Sequence, residues 1–316
     1  MGVVLSCTRA LAQSLACASA RPGFARRAAA ALVFLPVLAV VVAAALIYWV
    51  GGWSHPLRSR TLDGFMMEGR FPEGLQSWIY LFGVWEPDVA ALLREGLSPG
   101  DVFVDVGANV GYFTILASRL VGPSGAVVAV EPSPEMARRL RSNLAANPGS
   151  ENVRHVAAAA GSAEGNAWIH LGPAVGEGHT SLIPGLGFTP EAEVRVAPLG
   201  DLLRPEEAAR ARLVKVDVEG WEAEVVAGLP ALLDVLPEEA ELLFEVCPRR
   251  WPAPRPSLAE AFEPLISRGY KPLVVENDYS PWRYLWPHKT TPPSPVAWPI
   301  DPGLADVSVL FSKRAR

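Results

Sequence analysis

Short apolar runs recur through the middle of the chain, each bounded by glycine, proline or polar residues, and this pattern indicates buried strands of a parallel sheet. The predicted strands cover residues 102–106, 126–131, 153–157, 213–218 and 241–246. Apolar residues at helical spacing between them predict helices at residues 112–121, 134–146 and 221–233. Repeated strand–helix units of this kind predict an α/β fold with a doubly wound, mostly parallel sheet.

The segments around this core have different patterns. Residues 77–97 alternate at helical spacing, with Pro87 placed to begin a helix, and predict a lead-in helix. Residues 161–199 are rich in glycine and contain short alternating pieces, which predict a hairpin-bearing insertion over the site. Two late strands, which begin at Tyr270 and Val307, have no helix between them and predict a terminal antiparallel pair.

Residues 28–50 form a run without charge that is long enough for a transmembrane helix. As a helix this run would be roughly 35 Å long at about 1.5 Å per residue, which is sufficient to cross a bilayer. The run ends in aromatic residues and is longer than the apolar core of a signal peptide, so we expect a retained anchor rather than a cleaved leader. The chain is therefore expected to be a single-pass membrane protein, anchored in the lipid bilayer near its N-terminus, with the side of the folded domain left open.

The predicted organisation has four segments. They are an N-terminal leader (1–27), a transmembrane helix (28–50), a juxtamembrane linker (51–76) and a folded domain (77–316) whose core motifs lie within 101–247. The formal net charge is −5, and the folded part has no cluster of Lys and Arg with interleaved aromatic residues, so nucleic acid is not an expected partner. The three cysteines form neither a disulfide framework nor a zinc pattern, and no metal is predicted.

A glycine-containing turn follows the strand that ends at Val106. It reads Gly107-Ala-Asn109-Val-Gly111 and lies where open α/β sheets bind ligands, at the carboxyl edge of the sheet. Alone it is a weak signal, because glycine turns after strands also occur for structural reasons. Glu131 ends the next strand, where an acidic side chain can accept hydrogen bonds from both hydroxyls of a ribose. Turn and carboxylate together predict a nucleoside cofactor.

The residues of this turn favour one cofactor over another. Dinucleotide sites use G-x-G-x-x-G, but here Asn109 stands in place of the second glycine. Asp105 would repel a diphosphate and attract an ammonium or a sulfonium group. Both features favour S-adenosylmethionine. The alternative for Asp105 is a structural carboxylate that caps the turn.

A second set of charged residues lies on the strand at 213–218. Lys215 and Asp217 share one face of this strand, and Glu219 follows at its carboxyl end beside the expected cofactor. Charges inside an apolar strand are costly to bury unless they are paired, which makes a functional role plausible. The alternative is an internal Lys215–Asp217 ion pair that has no part in the chemistry.

These motifs resemble the FkbM-type methyltransferase family in order and spacing. The resemblance rests on DVFVDVGANVGYFTILAS, on VVAVEPSPE with RSNLAAN, on LVKVDVEGWEAEVVAGLPALL and on LLFEV. It implies a class I methyltransferase fold, with a seven-stranded sheet and an antiparallel C-terminal strand pair. It also implies that Asp217 and Glu219 lie beside the reaction centre. The residues expected to contact S-adenosylmethionine are Glu86, Asp105, Gly107, Asn109, Gly111 and Glu131.

The resemblance implies transfer of a methyl group to an oxygen on a small-molecule or glycan acceptor, such as a sugar, a lipid-linked glycan or a secondary metabolite. A hydroxyl acceptor must lose a proton, and Asp217, Glu219 or His179 is the candidate general base. The alternative role for Asp217 and Glu219 is to hold a divalent metal that binds acceptor oxygens. Two other hypotheses are a nicotinamide-dependent oxidoreductase and a catalytically inactive, membrane-anchored binding protein with the same fold.

Overall fold

The computed structural model describes most of the chain beyond residue 50. The described residues are Arg9, Leu35, Ala39, 41–48, 50–172, 180–184, 187–247, 256–284, 290–301 and 306–314. They divide into two compact units. The first, the N-terminal unit, lies within residues 1–90 and 278–290, and the second, the sheet unit, lies within 91–172, 179–277 and 291–316.

The N-terminal unit contains a β-hairpin. Strand β1 (His55–Arg60) pairs antiparallel with β2 (Met66–Phe71), so that His55 lies opposite Phe71 and Arg60 opposite Met66. Leu57 and Ser59 are buried while Arg58 and Arg60 face solvent, which is the two-residue alternation of a half-buried strand. The stretch predicted to be a linker at residues 51–76 therefore contains two strands.

Two helices follow where the sequence predicted one. Helix α1 (Gly74–Phe82) ends at Gly83, which has a left-handed φ of 75°, and α2 (Pro87–Gly96) begins at the proline. Gly83 breaks the helical pattern because it adopts left-handed backbone without the steric cost that other residues meet. The short helix α10 (Pro281–Tyr284) also belongs to this unit, and its Tyr284 ring packs on the rings of Trp78 and Phe82.

The structure does not support the membrane anchor predicted at residues 28–50. Within residues 28–50 the structure describes Leu35, Ala39, Val50 and the helical run 41–48. Nowhere among the described residues is there a helix with the length and apolarity needed to span a bilayer, so the single-pass anchor and its lipid contact are not supported. The other residues of 28–50, and the leader at 1–27 except Arg9, lie outside the described residues.

The sheet unit is built on an eight-stranded sheet. Its strands are β3 (Val102–Val106), β4 (Ala126–Val130), β5 (Val153–Val156), β10 (Ala211–Val216), β11 (Glu241–Val246), β12 (Lys271–Val275), β13 (Ser294–Pro295) and β14 (Val307–Ser312). Their order across the sheet is β13-β12-β14-β11-β10-β3-β4-β5. Strands β11, β10, β3, β4 and β5 are parallel. Every residue of β3 is buried, as expected for a central parallel strand covered on both faces. The mostly parallel α/β sheet is thus confirmed.

The C-terminal end of the sheet is antiparallel, as predicted. Strand β14 lies between β11 and β12 and runs antiparallel to both. The sheet has one strand more than the expected seven, because the two-residue strand β13 pairs with β12 at the edge. Such a short edge strand leaves little backbone open to further pairing.

Helices cover the sheet. They are α3 (Tyr112–Val121), α4 (Pro134–Ala145), α5 (Leu199–Leu202), α6 (Pro205–Ala208), α7 (Glu222–Ala227), α8 (Pro230–Leu233) and α9 (Leu258–Ile266). The helix predicted at 221–233 is two helices, α7 and α8, with the break at Gly228. A Cβ at Gly228 would lie 2.0 Å from the carbonyl oxygen of Gly161, so this close approach of two backbone segments requires glycine.

The insertion predicted at residues 161–199 contains the expected hairpin. Strand β7 (Gly165–Leu171) pairs antiparallel with β9 (Thr189–Ala197), and the short strands β6 (Ala159–Ala160) and β8 (Thr180–Ser181) complete a four-stranded sheet. The insertion is fixed to the core through Glu191 of β9, which accepts hydrogen bonds from the Ser133 hydroxyl (2.7 Å) and the Glu135 amide (2.8 Å). Both donors lie at the N-terminus of α4, where a carboxylate is favoured by the unpaired amides and the helix dipole.

Candidate active site

A cavity lies in the sheet unit at the carboxyl ends of β3, β4 and β10, with part of the insertion along its wall. It encloses about 550 Å³ of empty space, including its mouth; ligand pockets typically measure about 300–1,000 Å³. Its lining residues are Val106, Gly107, Asn109, Val130, Glu131, Pro132, Ala159, Ala160, Ile169, Thr180, Ser181, Leu182, Asp217, Val218, Glu219 and Trp221. The cavity therefore lies at the edge of the sheet where open α/β folds bind their ligands.

The glycine turn forms the floor of this cavity. Gly107 has φ +81°, and a Cβ there would lie 1.8 Å from the carbonyl oxygen of Asp217, so the backbones of the two strand ends approach more closely than any side chain allows. Asn109 also has a left-handed backbone, with φ +51°, which asparagine tolerates better than most residues. Gly111 caps α3 at φ +91° and is not among the lining residues.

Glu131 holds the turn in place from the neighbouring strand. Its carboxylate accepts hydrogen bonds from the amides of Asn109 (2.7 Å, at Oε2) and Ser133 (2.9 Å, at Oε1). The side chain is only 1% exposed, and burial raises the pKa of Glu131 to about 7, although the two amides oppose this rise. Each carboxylate oxygen has a second lone pair, so the group can accept ligand hydroxyls while it keeps both amides.

Asp105 is buried and is not among the residues that line the cavity. It is 1% exposed and accepts a hydrogen bond from the Thr114 hydroxyl (2.6 Å). Burial raises the pKa of Asp105, and the positive charge of Lys215, which lies opposite it on β10, opposes that rise. Lys215 in turn binds Asp217, with Nζ 2.8 Å from Oδ2, and lies 4.9 Å from the centre of the Phe113 ring. The Lys215–Asp217 ion pair, which the sequence left open as an alternative, is therefore present.

Two carboxylates of that charged segment lie on the cavity wall. The Asp217 amide donates to the carbonyl of Val106 (2.9 Å), which brings the end of β10 against the end of β3. Glu219 follows with a left-handed φ of +55°, and its carbonyl accepts a hydrogen bond from the hydroxyl of Ser181 (3.1 Å). The structure thus gathers Gly107, Asn109, Glu131, Asp217 and Glu219 around one cavity.

Glu86 and His179 are the other predicted site residues. Glu86 belongs to the N-terminal unit, where it is 2% exposed and accepts a hydrogen bond from the Tyr279 hydroxyl (2.9 Å). His179 lies outside the described residues. Across the part of the chain that the structure describes, no three His, Cys, Asp or Glu side chains converge as metal ligands would.

Several cavity residues carry no signal of their own in the sequence. Ser181, Leu182 and Ile169 come from the insertion, and only its pairing as a sheet brings them to the wall. Trp221 lies two residues after Glu219, so its position beside the site could be predicted from the sequence. Glu222 is fully buried one residue further on, and the sequence offered no means of telling it from an exposed first-turn glutamate.

Comparison with known proteins identifies one family. A family model described as the methyltransferase FkbM domain matches residues 105–272, which is just over half of the chain. The matched region begins at Asp105 and contains every residue that lines the cavity.

Individual relatives match over shorter stretches. The hexuronic acid methyltransferase AglP of Haloferax volcanii is 30% identical over 144 residues, which are 46% of this chain and 56% of that protein. The arsenite methyltransferase of Halobacterium salinarum is 40% identical over 57 residues, 18% of this chain and 14% of that protein. A crystal structure of methyltransferase FkbM from Methylobacillus flagellatus covers 75% of this chain and 53% of its own, at 14% identity and a TM-score of 0.42. The chain thus spans about half, or less, of the length of these proteins.

Proposed function

Since the chain belongs to the FkbM methyltransferase family, we propose that it uses S-adenosylmethionine to methylate a hydroxyl group of a sugar-containing acceptor. The observation that carries this proposal is the pair of carboxylates, Asp217 and Glu219, on the wall of the same cavity as the glycine turn and Glu131. A sulfonium cofactor supplies an electrophilic methyl group, and a hydroxyl acceptor needs a neighbouring base to take its proton.

The cavity suits this cofactor in shape and charge. Gly107 lines the floor without a side chain, which leaves its backbone accessible to a ligand. Glu131 is the residue that we assign to the ribose hydroxyls, and its two amide bonds fix the orientation of the carboxylate beforehand. Asn109 lies beside it on the floor. The carboxylates on the wall favour a ligand with a positively charged methionyl end.

Asp217 and Glu219 are our candidates for the general base. Lys215 holds the carboxylate of Asp217 in one orientation, which suits a group that must meet a bound hydroxyl. Glu219 is placed on the wall by a turn that is fixed through Ser181. His179 remains a third candidate from the sequence.

The charge of the cavity bears on which acceptor atom is methylated. Three lining residues are acidic, Glu131, Asp217 and Glu219, and among the described lining residues none is Lys or Arg. Two like charges about 4 Å apart repel by roughly 4 kcal/mol at an effective dielectric of about 20. We therefore propose a neutral hydroxyl rather than a carboxylate as the reacting group. The hexuronic acid methyltransferase among the relatives supports a sugar as the acceptor class.

Mass spectrometry of the methylated product tests this proposal. The full chain is incubated with S-adenosylmethionine carrying a ¹³C-methyl group and with the 4-nitrophenyl glycosides of glucose and of glucuronic acid. We expect a methyl ether that survives mild alkali, whereas a methyl ester on the glucuronic acid would be hydrolysed. Cofactor binding without transfer to either sugar would refute the sugar acceptor, and an alkali-labile product would refute the hydroxyl.

The roles of the two carboxylates are tested with Asp217→Asn and Glu219→Gln. Loss of a general base typically slows a reaction by about 10²–10⁴-fold, so one variant should lose activity on that scale while it still binds cofactor. If both variants retain wild-type turnover, neither carboxylate is the base.

A further inference from the structure

The turn that places Glu219 on the cavity wall has an unfavourable backbone conformation. Glu219 has φ +55° and Gly220 has φ +97°. Glycine adopts this region freely, but a residue with a side chain does so at a cost in conformational energy, and such conformations persist where neighbouring groups hold them. The position of Glu219 therefore depends on its contacts.

Two side chains hold this turn from opposite sides. The Ser181 hydroxyl donates to the Glu219 carbonyl (3.1 Å), and Oε1 of Glu222 accepts the amide hydrogen of Gly220 (2.8 Å). Ser181 belongs to the insertion, whereas Glu222 is the first residue of α7. Glu222 therefore helps to fix the peptide between Glu219 and Gly220. A change at Glu222 should affect the position of Glu219, which lines the cavity.

The burial of Glu222 is difficult to explain by packing alone. Its side chain is 0% exposed, and its second oxygen, Oε2, has no hydrogen-bond partner among the described residues. An apolar side chain of similar size would fill the same space without the desolvation cost of a carboxyl group. Besides burial, the negative charges of Asp217 and Asp306 contribute to raising the pKa of Glu222, and the charge of Glu222 contributes to raising the pKa of the buried Cys247 thiol.

We propose that Glu222 is a positioning residue of the active site, whose buried carboxyl group holds the Gly220 amide and thereby keeps Glu219 on the cavity wall. The inference rests on the proposed function in one respect, namely that Glu219 lies beside the reacting groups. Burial, together with the charges of Asp217 and Asp306, raises the pKa of Glu222 to about 8, so the group is mostly protonated at neutral pH. Glutamine is then the variant closest to it in shape and charge.

Two variants of Glu222 distinguish a loss of active-site positioning from a loss of folding stability. Glu222→Gln keeps a carbonyl acceptor for the Gly220 amide, whereas Glu222→Leu keeps the volume and removes the acceptor. Glu241→Leu is the matched control. Glu241 is also buried, at 1% exposed, but it lies at the amino end of β11, whereas the cavity lies at the carboxyl ends of the strands. There it binds Arg212 and Ser312. Turnover and KM are measured on the full chain with S-adenosylmethionine and 4-nitrophenyl glucoside.

We expect Glu222→Gln to retain kcat within about threefold and Glu222→Leu to lose it by at least thirtyfold with KM for the glucoside unchanged. Glu241→Leu should lower the melting temperature without changing kcat in the folded protein. Wild-type kcat in Glu222→Leu, or an equal loss in Glu222→Gln, would overturn the proposal.

An NMR measurement keeps the inference testable if Glu222→Leu does not fold or if the glucoside is not a substrate. Labelling with ¹³C′-glutamate and ¹⁵N-glycine selects the amides of glycines that follow a glutamate, which include Gly220. One of these amides should shift with pH around 8 in the wild type and stay constant in Glu222→Gln. If no such amide titrates, Glu222 does not hold Gly220, whatever the acceptor proves to be.

Discussion

Replacement of Glu131 by glutamine should change stability and cofactor binding in opposite directions at high pH. The wild-type carboxylate is almost wholly buried and accepts two amide hydrogens, one at each oxygen. Glutamine has the same shape but no charge at any pH, and its amide group must face one of the two backbone donors. The substitution thus removes a titrating group and adds one unfavourable contact.

The pH dependence of the effect follows from the pKa of Glu131. Folding raises this pKa from 4.5 to about 7, so the folded protein holds the proton more tightly than the unfolded chain does. The stability that this proton contributes is fully present below pH 4.5 and is lost as the pH rises towards 7. At about 1.4 kcal/mol for each pKa unit the loss is about 3 kcal/mol. The glutamine amide facing a backbone donor costs about 1–3 kcal/mol at every pH.

Urea unfolding of both proteins between pH 4.5 and 8 measures this effect. Relative to Glu131→Gln, the wild type should become less stable by about 3 kcal/mol across this interval, whatever the constant offset between them. Other titrating groups are common to the two proteins and cancel in the difference. Glu135→Gln is the control. The bound Arg138 and Arg139 lower the pKa of Glu135 to about 2, below the measured interval, so its curve should run parallel to the wild type.

Cofactor binding gives the second half of the prediction. An ionised Glu131 accepts ribose hydroxyls better than a protonated one, so wild-type affinity for S-adenosylmethionine should rise with pH through about 7. Glu131→Gln should bind about 10–100-fold more weakly at pH 8, with little dependence on pH, as measured by calorimetry. Parallel stability curves for wild type and Glu131→Gln would refute the raised pKa, and unchanged affinity would refute the assignment of Glu131 to the ribose.

Three further changes test the packing beneath the site. Gly107→Ala places a Cβ 1.8 Å from the Asp217 carbonyl at a left-handed φ, so we expect loss of cofactor binding by calorimetry and a lower melting temperature. Thr114→Val removes a hydrogen bond to buried Asp105 and should cost about 1–3 kcal/mol in urea unfolding, whereas Thr114→Ser should restore it. Lys215→Met leaves Asp105 and Asp217 without their shared cation and should cost about 3–5 kcal/mol, with a smaller loss at acid pH, where Asp105 gains its proton. Equal stability of Thr114→Val and wild type, or a Lys215→Met effect independent of pH, would contradict this account.

Much of the sheet was predictable because its strands obey a simple local rule. A parallel strand buried on both faces is apolar along most of its length, and VFVDV at β3 shows this in the sequence itself, with Asp105 as its one polar residue. The turn after β3 was equally accessible, since a positive φ at Gly107 needs glycine. The resemblance of the motifs to the FkbM family is confirmed by the match over residues 105–272.

Features that depend on distant pairing were not accessible in the same way. Asp105 was expected to meet the cofactor, but it is not among the residues that line the cavity; its carboxylate binds Thr114, and the pairing of β3 with β10 sets it opposite Lys215. The hairpin β1–β2 gave only a weak alternation and was predicted as a linker. The uncharged run at 28–50 matched a membrane span in length, but no helix among the described residues is long and apolar enough to cross a membrane.

The attachment of the insertion has a consequence for protein engineering. The insertion is joined to the core by its two chain ends and also by side chains, with Glu191 on the first turn of α4 and Ser181 on the turn at Glu219. Exchange of this segment between family members is an obvious way to alter acceptor preference. A transplanted insertion that lacks either residue would leave donors at α4 unmatched or the Glu219 turn unsupported, so a chimera must carry both residues together with the loop.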